Sequence, residues 1–415
     1  MNSRRIVVTG IGVVSPVGHT REDVWSAVRD GRSGIRRIVA FDVSEFDVHI
    51  AGEIADFDPL MYFTKRELGR LDRFVQFALV ASDDAIKQAG LDLSAENPER
   101  IGAYIGTGIG GLHEIEAQHT RLLKSGPGRT SPLMIPKLMT NAGAGQVAMR
   151  HGIHGPSMSV SSACASASHA IGEAFHCLRR GIAEVQICGG AEAAVTPMGL
   201  SGFQQMKALS TRNDAPELAS RPFDANRDGF VMAEGAAILV MEELEHARKR
   251  GAPILAEIIG YGSSSDAYHI TLPEPDGTGA ARAMRSALAD AEMPPERIDY
   301  INAHGTGTPA GDDVEAKAIC ATFGEHAMKL AVSSSKSVFG HLLGASGALE
   351  SAVCMWALAA NVCPPTINLD DPDPECCGLN LVPNEAQERE LHTVMSNSFG
   401  FGGHNVSLIF REFEG

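Results

Sequence analysis

An internal repeat is the feature that most constrains the fold of this 415-residue chain. Segments 85–108 (AIKQAGLDLSAENPERIGAYIGTG) and 287–307 (ALADAEMPPERIDYINAHGTG) each contain a helix end, a Pro-Glu-Arg-Ile turn and a strand that runs into Thr-Gly. The two turns, at Glu99 and Glu296, lie close to half the chain length apart. The same order of elements at such a spacing indicates a duplicated unit. We therefore predict two similar halves, residues 1–254 and 255–415, with a functional site where they join.

Short Val- and Ile-rich runs alternate with longer Ala-rich helical patterns. Predicted strands at 5–8, 101–105 and 185–188 stand beside predicted helices at 22–29, 74–89 and 167–180. This alternation is typical of α/β layers around largely buried sheets.

Two apolar stretches resemble targeting or membrane segments. The first follows Arg4-Arg5, but Gly10, Gly12 and Pro16 interrupt it, which favours a β-strand that ends in a glycine turn over a signal peptide. The second, 352–362, stops before Pro364 and is shorter than the ~20 residues that a membrane span needs. We predict a buried helix there and no membrane span.

Charge and cysteine content exclude several classes of protein. A net charge of −16 argues against broad nucleic-acid binding, which needs a basic face. The 8 cysteines show no paired spacing, so we predict reduced thiols in the cytoplasm. The pair Cys376-Cys377 and the scattered histidines lack metal-ligand spacing, and no zinc site is expected. The segment Gly106–Gly111 has dinucleotide-fingerprint glycines, but Ser131 and its neighbours stand where an acidic residue is required, which excludes a nicotinamide cofactor.

Cys164 is the first candidate for chemistry. It lies in Ser-Ser-Ala-Cys-Ala-Ser-Ala-Ser, where a strand pattern changes to small residues that open a helix toward Phe175. A cysteine at a helix start has its thiolate stabilised by unpaired N–H groups and the helix dipole. A buried, inert thiol would explain an isolated cysteine equally well.

Three further candidates follow strands in the second half. His304 lies in Ala-His-Gly-Thr-Gly-Thr-Pro, and Lys336 and His341 lie in Lys-Ser-Val-Phe-Gly-His-Leu-Leu-Gly-Ala-Ser-Gly. One histidine alone is usually a structural or surface residue, but two that each follow a strand among small residues favour a shared site. A third passage, Ser396–Asn405 (SNSFGFGGHN), is a strand entering a glycine turn, whose N–H groups can stabilise an oxyanion. A tight hairpin would also explain it.

Together, SSACAS, AHGTGTPAGD, KSVFGHLLGASGALE and SNSFGFGGHN resemble the β-ketoacyl-acyl-carrier-protein synthases, closest to the synthase II type. The likeness spans nearly the whole chain, including VVTGIGVVSPVG at the start and RPFDANRDGFVMAEGA at 221–236. It implies a thiolase-like α/β fold of five layers, α-β-α-β-α, built from two similar halves. It also implies elongation of fatty acids by two carbons through an acyl-cysteine, without a cofactor or metal, on substrates carried by phosphopantetheine.

The resemblance assigns a role to each candidate. Cys164 would be the acyl-carrying nucleophile, and the N–H groups of Cys164 and Phe401 would hold the oxyanion. His304 and His341 would stabilise the enolate that forms when malonyl carrier protein loses CO₂. Lys336 would favour neutral imidazoles and a thiolate, with Glu350 holding it in place; a surface ion pair is the alternative for these two.

Substrate and partner contacts follow from the same resemblance. Thr306 and Thr308 would bind the pantetheine amides, and Phe399 and Gly402 would contact the substrate. Ile109 would border the acyl pocket near a dimer interface. Phe401 would also act as a gate to the site. Core packing is the alternative for Ile109. Acyl carrier proteins are acidic, so docking needs a local basic surface, and surface charge is the alternative for its candidates. These are Lys65, Arg66, Arg70, Lys207 and Arg212, around the predicted pocket entrance.

Related families differ at named residues. A thiolase carries a second catalytic cysteine near the C-terminal glycine loop, where this chain has Phe401 and His404. The synthase III type has an asparagine where His341 stands, and a non-catalytic chain-length factor lacks the nucleophile Cys164. A ketosynthase of a type II polyketide pathway shares the predicted catalytic residues and remains the alternative. Acyl length, unsaturation preference, a homodimer or a heterodimer, and a structural monovalent cation are left open.

Overall fold

The computed structural model describes residues 4–376 and 378–415, so Cys377 lies outside the described residues. The strands are β1 Ile6–Val14, β2 Arg36–Arg37, β3 Ile50–Ala51, β4 Ile101–Gly106, β5 Ser157–Val160, β6 Val185–Glu192, β7 Gly235–Glu243, β8 Ala256–Ser265, β9 Tyr300–Asn302, β10 Ala331–Ser333, β11 Val362–Cys363, β12 Gln387–Glu388, β13 Thr393–Gly400 and β14 His404–Arg411. The helices are α1 Arg21–Arg29, α2 Lys65–Leu68, α3 Arg73–Gln88, α4 Leu112–Ser125, α5 Met134–Leu138, α6 Ala142–His151, α7 Ser166–Arg179, α8 Pro197–Gln205, α9 Leu244–Lys249, α10 Thr278–Asp290, α11 Pro309–Phe323, α12 Lys336–Phe339 and α13 Ser346–Ala360.

Two runs of five strands with the same pairing pattern form the centre of the protein. The first has the order β1-β7-β6-β4-β5, and the second has the order β8-β14-β13-β9-β10. In each run the first two pairings are antiparallel and the last two are parallel. The runs join through a short antiparallel pairing of β1 with β8. Equal strand order and direction in the two runs agree with the predicted duplication.

Helices cover both faces of each run and complete the five layers. Helices α7 and α13 contact each other and strands of both runs, so they form the middle layer. Helices α3 and α6 cover the first run, and α10, with α11 against it, covers the second. One apolar cluster draws residues from the middle helices and both runs. The predicted boundary between residues 254 and 255 falls just before β8 and stays a prediction.

The first strand is longer than predicted, and its glycines are not a turn. β1 runs through Gly10 and Gly12 to Val14, and all nine of its residues are buried. A Cβ at either glycine would overlap a backbone carbonyl of α3, that of Ala85 or Ala81. The glycines therefore allow close approach of helix and sheet. The turn itself comes later, where Ser15 bridges to Gly18.

The two copies of the repeat have the same local structure. Pro98–Arg100 and Pro295–Arg297 are both short 3₁₀ turns that lead into a parallel strand, β4 or β9. Each strand lies at the same place in its run, so the repeated sequence marks equivalent positions.

The apolar stretch near the C-terminus is a core helix. The segment Leu343–Ala360 has the length and a mean hydropathy of 1.3 that a membrane span requires, yet 89% of it is buried within the protein. A helix covered by protein on this scale has no free face for lipid. α13 ends where Asn361 takes a left-handed conformation, with φ of 54°.

Candidate functional site

Cys164 lies on a strained turn between β5 and α7. Ala163, directly before it, has φ of 51°, a conformation that costs a non-glycine residue about 1–2 kcal/mol. Glycines allow the neighbouring backbone to close around the turn: a Cβ on Gly400 would lie 3.1 Å from the Cys164 nitrogen. Cys164 is 8% exposed. The turn presents the thiol at the start of a middle-layer helix, as the sequence predicted.

The two predicted histidines come together at this thiol. His304 comes just after β9, whereas His341 does not directly follow a strand: it comes after the short helix α12, which follows the neighbouring parallel strand β10. The Cys164 sulfur and one nitrogen of each histidine lie within 4.8 Å of one another. The imidazole rings are 5.4 Å apart and nearly perpendicular, at 84°. A substrate carbonyl can therefore meet the thiol and both rings at once.

Hydrogen bonds orient both rings. His304 Nδ1 is 3.4 Å from the Lys336 ammonium, which can only donate, so Nδ1 accepts and the proton is on Nε2. His341 Nδ1 is 2.7 Å from the Ser346 hydroxyl, and its buried Nε2 has no hydrogen-bond partner among the described residues. When Ser346 donates, each histidine presents an Nε2–H group for substrate.

Both histidines are held neutral. Burial, together with the charge of Lys336, lowers the pKa of His304 and of His341 well below the ordinary value. A neutral ring can donate a hydrogen bond to an enolate oxygen without carrying charge into the buried site.

Lys336 and Glu350 form a buried ion pair, which excludes the surface pair considered above. Their side chains are 1% and 0% exposed, and the ammonium donates to the Glu350 carboxylate. The same ammonium donates to the His304 carbonyl at 2.6 Å. By distance alone the thiol and two imidazoles could hold a metal ion, but the adjacent ammonium opposes a second cation there.

Burial outweighs the helix-start effect at the nucleophile. It raises the pKa of the Cys164 thiol to about 11, although the Lys336 charge and the N–H groups of Phe401 and Cys164 act in the opposite direction. The resting group is a thiol rather than the thiolate expected from its place at a helix start. The two N–H groups at the sulfur are the pair that the resemblance assigned to the oxyanion.

The glycine loop is a tight hairpin between β13 and β14, and it also lines the site. Gly402 and Gly403 have φ of 83° and 74°, in the left-handed region. Phe399 packs with its ring 6.0 Å from that of His304. The Gly402 N–H donates to the Ile270 carbonyl at 2.8 Å, and Gly402 does not line the cavity described next. The hairpin interpretation is confirmed, the Gly402 N–H is already used within the protein, and the oxyanion role of the loop stays a prediction.

A cavity of about 290 Å³ opens above Cys164 and passes between the two halves. Thr306, Thr308, Phe399 and Phe401 line it, together with His304 and His341. The hydroxyls of Thr306 and Thr308 are 3.0 Å apart and give the channel a polar wall. Ile109 is not among the lining residues; it packs against an apolar cluster that contains Leu343.

Of the five predicted docking residues, Lys207 alone lines the cavity. Lys207 is exposed and lines the cavity mouth. Arg212 is half-buried and pairs with Asp228 at 3.6 Å. Lys65, Arg66 and Arg70 are exposed on and after α2, and none of them lines the cavity.

Two buried carboxylates of the site were not predicted. Glu315 accepts hydrogen bonds from the N–H groups of His304 and Gly305, at 2.8 and 2.7 Å, and burial raises its pKa to about 7. Glu192 accepts hydrogen bonds from the N–H groups of Gly108 and Gly344, which lie in the two loops beside Cys164. In the sequence, Glu192 is an acidic residue among small residues and Glu315 is one of several charged residues, and exposed segments show both patterns.

Two family models match this chain. The model of the β-ketoacyl synthase N-terminal domain matches residues 3–247, and that of the C-terminal domain matches residues 255–370. A curated relative from Coxiella burnetii, 3-oxoacyl-[acyl-carrier-protein] synthase 2, is 51% identical over 409 residues, 99% of each chain.

Two solved structures are also similar. A β-ketoacyl synthase from Burkholderia phymatum has a TM-score of 0.92 and 37% identity, over 99% of this chain and 100% of its own. A type II polyketide ketosynthase, solved with its acyl-carrier protein, has a TM-score of 0.92 and 33% identity over 100% of both chains. These likenesses confirm the predicted fold class.

Proposed function

Because the chain belongs to the β-ketoacyl synthase family, we propose that it catalyses the 3-oxoacyl-[acyl-carrier-protein] synthase 2 reaction with Cys164 as its nucleophile. The enzyme is a condensing acyltransferase of fatty-acid synthesis that joins an acyl thioester to malonyl-acyl carrier protein. The observation that carries the assignment of residues is the meeting of one thiol with two neutral imidazoles within 4.8 Å.

The first half-reaction loads the acyl chain. The Cys164 sulfur attacks the thioester carbonyl, and the N–H groups of Cys164 and Phe401 stabilise the oxyanion. The carrier thiolate leaves and takes up the proton that Cys164 loses. The acyl chain is then held as a thioester of Cys164.

The second half-reaction makes the new carbon–carbon bond. When malonyl carrier protein loses CO₂, negative charge develops on its thioester oxygen, and the Nε2–H groups of His304 and His341 stabilise it. The carbanion attacks the acyl-Cys164 carbonyl, and the Cys164 thiolate leaves and regains a proton. The product is a β-ketoacyl chain, longer by two carbons, on the carrier.

Lys336 positions and polarises this site. It fixes the His304 backbone and ring, lowers the pKa of both histidines, and acts to lower the pKa of Cys164. Glu350 offsets its buried charge. We assign no cofactor, since these residues and the two carrier-bound substrates complete the reaction.

Separate variants test the two half-reactions. Cys164→Ala should abolish acyl loading and condensation. His304→Ala and His341→Ala should keep acyl loading but lower malonyl decarboxylation about 10²–10⁴-fold. Mass spectrometry of protein-bound acyl groups and of CO₂ release separates these steps. Condensation by Cys164→Ala, or unchanged decarboxylation in both histidine variants, would refute the assignment.

The acyl partner is an acyl carrier protein, and the docking surface proposed for it is basic. Lys207 at the cavity mouth is its best-supported residue, because it is exposed where a phosphopantetheine arm would enter. Lys207→Glu should raise KM for the carrier substrate and leave kcat unchanged. Lys249→Glu, an exposed charge on α9, is the matched control. An equal KM for the carrier substrate in both variants would contradict the proposal that Lys207 belongs to the docking surface.

We also propose a homodimer that forms through the edge strand β5. This strand pairs with β4 on one side, and the exposed apolar residues Ile135, Met149 and Met158 lie on it or on α5 and α6. Open strand edges with apolar side chains favour pairing with a second chain. Met158→Lys should yield monomers in sedimentation, whereas substitution of Met328, an exposed methionine outside β5, α5 and α6, by Lys should not. A dimeric Met158→Lys protein would refute this interface.

A cytoplasmic location is proposed, because the cysteines show no paired spacing in the sequence. The polyketide alternative rests on the likeness to the type II polyketide ketosynthase, which is lower in identity than the likeness to the synthase 2 relative. A series of acyl carrier substrates of increasing length, with products sized by mass spectrometry, distinguishes them. One round of extension to saturated fatty-acid lengths supports synthase 2, and repeated extension without reduction supports the polyketide role.

A further inference from the structure

Glu192, the last residue of β6, is a buried acid beside the nucleophile that the reaction described above does not use. Its side chain is 0% exposed. One carboxylate oxygen accepts from the Thr107 hydroxyl at 2.8 Å and the Ile109 N–H at 3.2 Å. The other accepts from the Gly108 N–H at 2.6 Å and the Gly344 N–H at 3.0 Å.

All four partners can donate, an arrangement that favours the ionised carboxylate. Three of them are backbone N–H groups. The fourth, the Thr107 hydroxyl, accepts a hydrogen bond from the Gly110 N–H and donates its own proton to Glu192 when the carboxyl group is ionised. A protonated carboxyl could keep all four contacts only by donating to the Thr107 hydroxyl, whereas the carboxylate accepts from all four partners. Burial opposes ionisation and raises the pKa of Glu192, and the four hydrogen bonds act against that shift.

The charge of Glu192 has no cationic partner among the described residues that would neutralise it. Backbone dipoles and one hydroxyl stabilise it instead. The free energy of such a buried carboxylate rises when a hydrogen-bond donor moves away from it. The carboxylate therefore holds its donors in place.

The donors belong to two loops that flank the catalytic turn. Thr107–Ile109 follows β4, and Gly344 lies between His341 and Ser346, the residue that orients the His341 ring. The loops touch at Gly108 and Gly344, where a Cβ on Gly344 would overlap the Gly108 nitrogen. A Cβ on Gly108 would lie 3.5 Å from the carbonyl oxygen of Ala163, which precedes Cys164.

We propose that Glu192 is a positioning residue for the condensation reaction, whose carboxylate holds the His341–Ser346 segment against the Thr107–Ile109 loop beside Cys164. This proposal rests on the proposed roles of Cys164 and His341. Two effects follow, one from the length of the Glu192 side chain and one from its charge. The side-chain length sets the distance from His341 to the nucleophile. The negative charge opposes ionisation of Cys164 and so counteracts Lys336.

Two substitutions of Glu192 separate the effect of side-chain length from the effect of charge. Glu192→Asp keeps the charge but is one methylene too short to bond both loops. It should lower the condensation rate about tenfold or more, because small displacements of reacting groups are costly, with little change in the pH dependence of Cys164 alkylation. Glu192→Gln keeps the length but loses the charge and puts an amide donor against N–H donors. It should move the alkylation profile of Cys164 to lower pH.

The alkylation profile is measured with iodoacetamide on the Cys164-containing peptide by mass spectrometry. The groups that face the thiol, Lys336, His304 and His341, are unchanged in both variants. Glu53→Gln is the matched control, because Glu53 is a buried carboxylate that accepts from the Val39 N–H away from the site. It should match the wild type in both assays.

Either of two results would overturn the proposal: wild-type condensation in Glu192→Asp, or a wild-type alkylation profile in Glu192→Gln. If Glu192→Gln does not fold, the condensation rate of Glu192→Asp decides. Alkylation needs no turnover, so a wild-type protein without condensation activity would refute the proposed function and leave the charge effect of Glu192 testable.

Discussion

The ammonium of Lys336 lies 2.6 Å from the backbone carbonyl of His304 and 3.4 Å from Nδ1 of the same residue. One buried cation thus fixes the position and the tautomer of this histidine, which we propose to be catalytic, and favours its neutral form. Since Glu350 offsets that cation and is itself fully buried, these three residues form one unit, and neither charge can be removed alone without cost.

Removal of one charge from this unit should destabilise the fold. Lys336→Met leaves Glu350 as an unpaired buried carboxylate and should cost about 3–5 kcal/mol of unfolding free energy. Lys336→Met with Glu350→Leu should recover most of that stability but not the decarboxylation activity, because the histidines lose their cation. Urea unfolding and CO₂ release measure the two effects. A double variant as unstable as Lys336→Met would show that the pair is not coupled.

Alkylation of Cys164 should follow an unusually alkaline profile. Burial raises the pKa of this thiol to about 11, so the iodoacetamide rate should rise beyond the range in which an ordinary thiol is fully ionised. Rates at Cys164 are read from its tryptic peptide. A plateau starting near pH ~8.5, the ordinary thiol value, would contradict the prediction.

Malonyl decarboxylation should be insensitive to mildly acidic pH. His304 and His341 have pKa values well below the ordinary histidine value, so they stay neutral, and able to donate from Nε2, through the range in which exposed histidines become charged. The measurement is CO₂ release by the Cys164→Ala protein, which isolates this step. A fall in rate centred near pH ~6.5 would indicate ordinary histidines.

A histidine far from the site should make stability depend on pH. His246 donates from Nδ1 to Glu242 at 2.7 Å and from Nε2 to Glu96 at 3.0 Å, while Arg250 and Thr9 also donate to Glu242. These contacts raise the pKa of His246 in the folded protein. Its contribution is therefore full below the ordinary histidine value and is lost as pH rises through the folded value. His246→Gln should lower the melting temperature more at pH 6 than at pH 9.

The control for that experiment is His392, which also lies between two glutamates but is 54% exposed. Because solvent screens such a contact, His392→Gln should leave the melting temperature nearly unchanged at both pH values. Equal losses at pH 6 and pH 9 in His246→Gln would mean that its role is packing rather than charge.

The glycines inside β1 should tolerate no side chain. Gly12→Ala places a methyl group against the Ala81 carbonyl of α3 and should destabilise the protein by about 1–3 kcal/mol. Gly202→Ala, in α8 with no atom near its added Cβ, should be neutral or stabilising by about 0.5–1 kcal/mol. Chemical denaturation of both variants provides the comparison, and equal stability would show that α3 can shift to make room.

The amino-acid sequence by itself determined the duplicated α/β architecture and the choice of candidate reacting groups. The repeat around Glu99 and Glu296, and the strand-to-loop passages that contain Cys164, His304 and His341, are local patterns. Local patterns can be recognised in the sequence because turns and hydrophobic periodicity depend on residues that are close together in the chain. They were less informative where a residue has two local explanations, as at Gly10 and Gly12.

Only the tertiary structure decided how these groups behave. The burial of Lys336 with Glu350, the neutrality of both histidines and the high pKa of Cys164 come from residues far apart in the chain that exclude water together. Glu192 shows the same limit, because its four donors come from positions 107–109 and 344. The charge state of a side chain, and the distant segments that its hydrogen bonds join, depend on the packed environment. A local sequence pattern does not contain this information.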